Sequence, residues 1–470
     1  MPVQSYDVLI LSDDAPSLTA AAYFAKAGLS VAVYSVFGAT PAAADETALQ
    51  PAVPAVVWRH LNLQAAGLAL TPVDARVVLQ PEAAPLMFFR TGQHGLPSVS
   101  PEDASVWPDF VRDVRRIGAD LIAMRDAETV KGSGRRGMET SLSVLEAEAP
   151  PARLLTAGRF GLKSSVEVLS DYFSSREGRL AAAAPALLEA IAGPYAAGTA
   201  FGLLGAYGAD AWPALRLGDG PSVREVLART AVAAGAVIDP EILVKELTFK
   251  DKRVRGVVTG QGEEIRAKAV VVNAPEAGRA PIDMIIEMSE DAVFAEASPS
   301  TSIYYTVDGF GRAEQAFDDV VYGRVPKTPV AAFASSANRQ SAGARQNRML
   351  SVRVQACPLR LKDKNSAARP WTKEDGEALA AQIVDKLSSY APDIGDKILK
   401  ADVYPHPAAM QSDAMRLQAA DMLRNLADSL DPPGERLFFL RDARLDGGPV
   451  GAAAVAARRI LRTVFKKGDA

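Results

Sequence analysis

The turn between the first apolar strand and the first helix contains no glycine, and this constrains the chain more than any other feature. Tyr6 to Leu11 (YDVLIL) reads as a buried strand, Leu18 to Ala27 (LTAAAYFAKA) as a helix and Leu29 to Ser35 (LSVAVYS) as a second parallel strand. Such a βαβ unit opens a doubly wound dinucleotide-binding fold, whose linking turn ordinarily carries G-x-G-x-x-G. Here the turn is Ser12-Asp13-Asp14-Ala15-Pro16-Ser17.

Each glycine has a physical task. The first allows the tight turn, the second lets the backbone approach a pyrophosphate, and the third allows close packing of helix on strand. Ser12 and Ser17 are small enough for the first and third tasks. Asp14 adds bulk and negative charge at the second, where like charges a few Å apart repel by several kcal/mol at intermediate dielectric. A helix N-terminus favours an anion, and Asp13 or Asp14 can supply it from within the chain, with Pro16 suited to the first turn. The expectation is a self-capped helix that fills its own phosphate site. At the end of the second strand, the acidic residue that would hold ribose hydroxyls is replaced by Ser35.

At 470 residues, the chain is long enough for two domains. Its 48% hydrophobic and 23% charged residues match a globular protein. A net charge of −4 supplies no basic field, which argues against nucleic acid as a partner. Cys357 is the one cysteine, so no internal disulfide forms and a reducing, cytoplasmic setting is expected. With only His60, His94 and His406 beside it, neither a zinc site nor a histidine-based triad is expected. No signal peptide is evident, and the most apolar run, Ala181 to Ala192, is too short to span a membrane.

A helical repeat covers Asp109 to Asp126, followed by a basic loop from Lys131 to Gly137. Gly218-Asp219-Gly220 leads into a helix from Ser222 to Ala234. Strands follow at Ala236–Ile238, Leu243–Phe249, Val254–Thr259, Glu264–Ala267 and Ala269–Asn273, a small meander returning to the first sheet. Ile303–Val307 and Met349–Val354 read as strands flanking a polar stretch from Ala337 to Arg348. Glu374 to Ser389 is an amphipathic helix, and Leu437–Leu440 precedes a last helix from Ala452 to Phe465.

Taken in order, these segments resemble the phytoene-desaturase-like branch of the FAD-dependent amine-oxidase superfamily. The likeness is nearest to oxidoreductases named for a pyridine-nucleotide-disulphide oxidoreductase domain. Its carriers are YDVLIL…LTAAAYFAKAGLSVAVYS, IAGPYAAGTAFGLL, LGDGPSVREVLARTAVAAGAVI, IRAKAVVVNAPEAG, IVDKLSSYAPDIGDKIL and GGPVGAAAVAARRIL. The resemblance implies an α/β chain: a Rossmann-like FAD/NAD(P)-binding fold interleaved with an α+β substrate, or cap, domain. Residues 1–75, 215–290 and 425–470 would form the dinucleotide domain, and 76–214 and 291–424 the cap. It also implies non-covalent FAD and hydride removal from an apolar substrate. Carried over by position, the phosphate glycines correspond to Ser12, Asp14 and Ser17, with Asp13 beside them, and the ribose acid to Ser35. The arginine-and-double-glycine stretch is reduced to Val36-Phe37-Gly38-Ala39. Val244 keeps the valine beside the adenine, Arg441 replaces the glycine of the flavin-facing turn, and Gly447 and Gly448 remain.

Packing positions are thus kept while contact positions are changed. The first functional expectation is a non-catalytic relative without bound cofactor, a scaffold or regulatory subunit paired with a catalytic flavoprotein relative, another protein or a second copy of itself. The second is an FAD-dependent oxidoreductase with an atypical flavin site and an apolar, isoprenoid-like substrate. The third is a lipid- or pigment-binding module. No residue stands out as a catalytic acid, base or nucleophile. The last helix, with Arg458, Arg459, Arg462, Lys466 and Lys467 beside Val455, Ile460, Leu461, Val464 and Phe465, has the pattern of a segment that can lie on an anionic membrane. Packing of its apolar face on the dinucleotide domain, with the charges offsetting the helix dipole, is the favoured reading.

Overall fold

The computed structural model describes residues 4–36, 38–41, 45–80, 83–89, 100–130, 156, 160–208, 213–216, 220–251, 253–273, 278–294, 298, 301–337, 348–410, 436–440 and 449–466. The opening unit is β1 (Gln4–Ile10), α1 (Ala15–Lys26) and β2 (Val31–Ser35). β1 and β2 run parallel, with Val8 opposite Val31 and Ile10 opposite Val33. On its other side β1 pairs in parallel with the strand Glu264–Val272, which in turn pairs with Leu437–Phe439. Both faces of this parallel sheet are covered, which is why its strands are continuous apolar runs rather than alternating ones. Val8, Ile10, Val33 and Val271 face the helices, and Leu9, Ala32, Val270 and Val272 face the meander.

The meander is more continuous than its sequence suggests. Val237–Lys250 is one strand: its start pairs with β2 in parallel and its end with Arg253–Thr259 antiparallel. The register shift between these parts lies around Pro240, which has no N–H to give a ladder. Glu264–Val272 is likewise one strand, serving the meander at its start and the parallel sheet beyond.

α1 lies against both the helix Val223–Ala233 and the final helix Pro449–Thr463. Its alanines, Ala20, Ala21 and Ala22, are fully buried and allow that close approach. The last helix buries Val450, Ala453, Ala457, Ile460 and Leu461 in the same core, leaving Arg459 and Arg462 exposed. Among the described residues, no helix is long and apolar enough to cross a membrane.

A second, seven-stranded sheet runs in the order Ile398–Tyr404, Arg279–Met288, Arg348–Pro358, Ala331–Ala337, Ser302–Thr306, Ala75–Gln80, Ala83–Phe89. The sequence signals only Ser302–Thr306 and Arg348–Pro358 among them. Arg279–Met288 belongs here, although the sequence division carries the first unit on to residue 290. One face packs Met284, Ile286, Phe333 and Val352 on the helix Lys373–Ser388. The other meets a helical layer built from Pro101–Val130, Arg176–Leu188 and Phe201–Tyr207. The first of these helices extends beyond the periodic stretch at both ends, and the second continues through Pro185.

One carboxylate organises that layer. Asp103, buried in the first turn of Pro101–Val130, accepts hydrogen bonds from the N–H groups of Ser174 (2.7 Å) and Ser175 (2.9 Å), and from both hydroxyls. Ser175 in turn caps Arg176–Leu188. Cys357 sits in the core of the second sheet, where burial pushes its thiol up to about 12 and leaves it unreactive.

Candidate functional site

The first turn forms as a self-capped helix start. Asp14 has extended backbone angles (φ −73°, ψ 167°) and its Oδ1 accepts from the Ser17 N–H at 2.9 Å. Its other oxygen accepts from the Ser12 hydroxyl at 2.7 Å and from Asn273 Nδ2 at 2.8 Å. Asn273 stands just past the end of Glu264–Val272, so it joins the neighbouring strand to the cap. Replacing Asp14 with alanine is expected to cost about 0.5–2 kcal/mol. Thermal melts that show no loss would remove the capping role.

Asp13 faces a different set of groups. Its buried carboxylate accepts from the Thr40 N–H (3.0 Å), the Thr40 hydroxyl (2.7 Å) and a terminal nitrogen of Arg224 (3.1 Å). The same guanidinium grips Asp45 through Nε at 2.9 Å and through its second terminal nitrogen. Asp45 also accepts from the Ser222 hydroxyl at 2.7 Å, and Ser222 is the N-cap of Val223–Ala233, in a capping box with Glu225. Burial would lower the Arg224 pKa, but Asp45 and Asp13 outweigh it and hold the guanidinium above its ordinary value. Nearby His406 is pushed down to about 4 by burial, against the pull of the Asp13 charge, and so stays neutral at pH 7.

Two helix N-termini therefore converge here, those of α1 and Val223–Ala233, and each is matched by carboxylates of the chain itself. Arg224 lies in the first turn of its helix, where a cation opposes the dipole. Its position makes sense as a counter-ion for Asp13 and Asp45. Among the described residues, no cluster of three or more His, Cys, Asp or Glu side chains is arranged to hold a metal ion.

The remaining positions singled out in the sequence do not join this cluster. Ser35 is buried and donates its hydroxyl to the Gly38 carbonyl at 2.7 Å, closing its own turn. Ser17 joins only through its N–H on Asp14; the residue is fully buried and its hydroxyl has no hydrogen-bond partner. Val244 is a buried strand residue opposite Thr259. Arg441, Gly447, Gly448 and Phe37 lie outside the described residues, as do the loop 131–137 and the interior of the stretch 337–348. Arg224, Asp45, Thr40 and Asn273 carry the cluster and are not predicted from the sequence as its members. The one local signal is Arg224 itself, a basic residue in the first turn after a serine cap.

These residues do not fit a dinucleotide's pyrophosphate. The Ser17 N–H that would donate to it is bound to Asp14, and three carboxylates with one guanidinium leave the region net negative.

No protein-family model matches the sequence. Solved structures of similar fold include a triple mutant of putrescine oxidase redesigned at its cofactor binding, at 13% identity and a TM-score of 0.58, covering 99% of this chain and 100% of that one. Wild-type putrescine oxidase bound to putrescine matches at 13% identity and a TM-score of 0.57, over 99% and 100% of the two chains. Cyclohexylamine oxidase from Brevibacterium oxydans IH-35A matches at 14% identity and a TM-score of 0.53, over 98% and 99%. At such identities the likeness is one of fold: this chain has a Rossmann-like α/β unit with a second sheet-and-helix domain.

Proposed function

We propose that the chain is a non-catalytic relative of the FAD-dependent, phytoene-desaturase-like oxidoreductases, and serves as a scaffold or regulatory subunit in a protein complex. The observation that carries this reading is the Asp14 cap. A carboxylate held by the Ser17 N–H, the Ser12 hydroxyl and the Asn273 amide occupies the helix terminus that a bound nucleotide's phosphates would need. Ser35, turned back onto Gly38, supports the same reading at the ribose position. Both faces of the first unit's sheet meanwhile bury continuous apolar clusters, as a fold still in use requires.

The partner is another protein, most simply a catalytic flavoprotein relative. If the parent enzyme formed dimers, its isologous surface would accept a relative of itself. A stable contact of this kind buries on the order of 1,200–2,000 Å². The purified protein is expected to be colourless, to release no flavin on denaturation, and to run above monomer mass with its partner. Stoichiometric flavin in the purified protein would overturn the reading in favour of an oxidoreductase with an atypical site. A flavin-free monomer without specific partners in pull-downs would overturn the scaffold role.

A further inference from the structure

We infer that Asp13 and Asp45, bridged by Arg224, are a built-in replacement for a diphosphate: the chain retains a latent polyphosphate site and fills it with its own carboxylates. This rests on the proposed loss of the cofactor and deepens it, by identifying which groups took over the vacated contacts.

The geometry has the form of two anions on one cation. Arg224 meets Asp13 at 3.1 Å through one terminal nitrogen, and Asp45 through Nε at 2.9 Å and the other terminal nitrogen. The rest of the shell consists of donors suited to phosphate oxygens: the Thr40 N–H and hydroxyl around Asp13, and the Ser222 hydroxyl on Asp45. Planar guanidinium forks pair with carboxylate and phosphate through the same hydrogen-bond pattern. The N-terminus of Val223–Ala233 adds a positive dipole end, while that of α1 stays capped by Asp14. Removing the two carboxylates would leave this donor set without an acceptor.

The cluster also explains how the chain does without a ligand. It ties together the β1–α1 turn, Thr40 and Asp45 after β2, and the helix Val223–Ala233, residues up to 211 apart in sequence. A bound diphosphate would join such segments from outside the chain. Here the tie is covalently part of it and always present.

The test uses the purified full-length protein and inorganic pyrophosphate, with melting temperature and calorimetric titration as readouts. Wild type is expected to show no response. The Asp13→Ala/Asp45→Ala double variant is expected to melt lower, and to regain about 2–4 °C in millimolar pyrophosphate. Adding Arg224→Gln to that variant is expected to abolish the recovery. The single Asp13→Ala and Asp45→Ala variants, which keep half of the bridge, serve if the double variant does not fold, and are expected to show smaller recoveries. Stabilisation of wild type by pyrophosphate would overturn the inference. So would folded variants that gain nothing, or recovery that persists without Arg224. Flavin content of wild type is measured separately. A flavin-free wild type with unresponsive variants would sink this inference while leaving the proposed function standing.

Discussion

Replacing Arg224 with alanine is expected to destabilise the protein by about 3–5 kcal/mol, the range for removing one partner of a buried ion pair. The change leaves the Asp13 and Asp45 side chains, 4% and 11% exposed, as neighbouring charges without their cation. Arg224 keeps 24% of its side chain in solvent, so water can partly replace it, and the lower end of the range is expected. Arg224→Lys is expected to recover only part of the loss, because an ammonium cannot present a planar fork to two carboxylates. Urea denaturation of the three proteins checks this. A loss below about 1 kcal/mol for Arg224→Ala would class the bridge with ordinary surface pairs.

Asp103→Ala is expected to have an effect of similar size, with a pH signature. The change strips a charged acceptor from two backbone N–H groups and two hydroxyls of Ser174 and Ser175. Hydrogen bonds to charged groups contribute about 1.5–3 kcal/mol each and do not add fully, so a loss of about 3–5 kcal/mol is expected. Burial alone would raise the Asp103 pKa, but the bonds from Ser175 and Ser174 outweigh it and hold the carboxyl below its ordinary value. Its contribution is therefore complete above the unfolded-state pKa of about 3.9, and is lost as pH falls through the lower folded-state value. The stability gap between wild type and Asp103→Ala should be constant from neutral pH down to about pH 5 and narrow below about pH 4. A gap that stays constant into that acid range would show that the carboxylate charge is not what holds the two helices.

How legible each part was in the sequence follows from how far apart its determinants lie. β1, α1 and β2 were readable because a fully covered parallel strand is an unbroken apolar run, and the Asp14 cap because carboxylate, proline and helix start are adjacent in sequence. The partners of Asp13 were not, since Arg224 is 211 residues away and nothing near it names a carboxylate. The second sheet was obscured for another reason. Its face toward the helical layer includes Arg76, hydrogen-bonded to the Ala206 carbonyl, and Asp283, paired with Arg353 at 2.9 Å. Polar residues whose partners lie far along the chain make a buried strand look like a surface loop. Ala75–Gln80 and Arg279–Met288 were missed for this reason.

The placement of the last helix has a consequence for biosynthesis. β1 and α1 leave the ribosome before the segments that complete their surroundings: their sheet needs Glu264–Val272 and Leu437–Phe439, and α1 is covered by Pro449–Thr463. At about 5–20 residues per second, the apolar faces of the opening unit wait on the order of 20–90 s for those late segments to be translated. One edge of β1 stays unpaired until Glu264–Val272 is made, and α1 keeps an uncovered alanine-rich surface until Pro449–Thr463 follows. Nascent chains stalled before residue 437 should therefore bind chaperones through the first 35 residues, and release them once the C-terminal helix emerges.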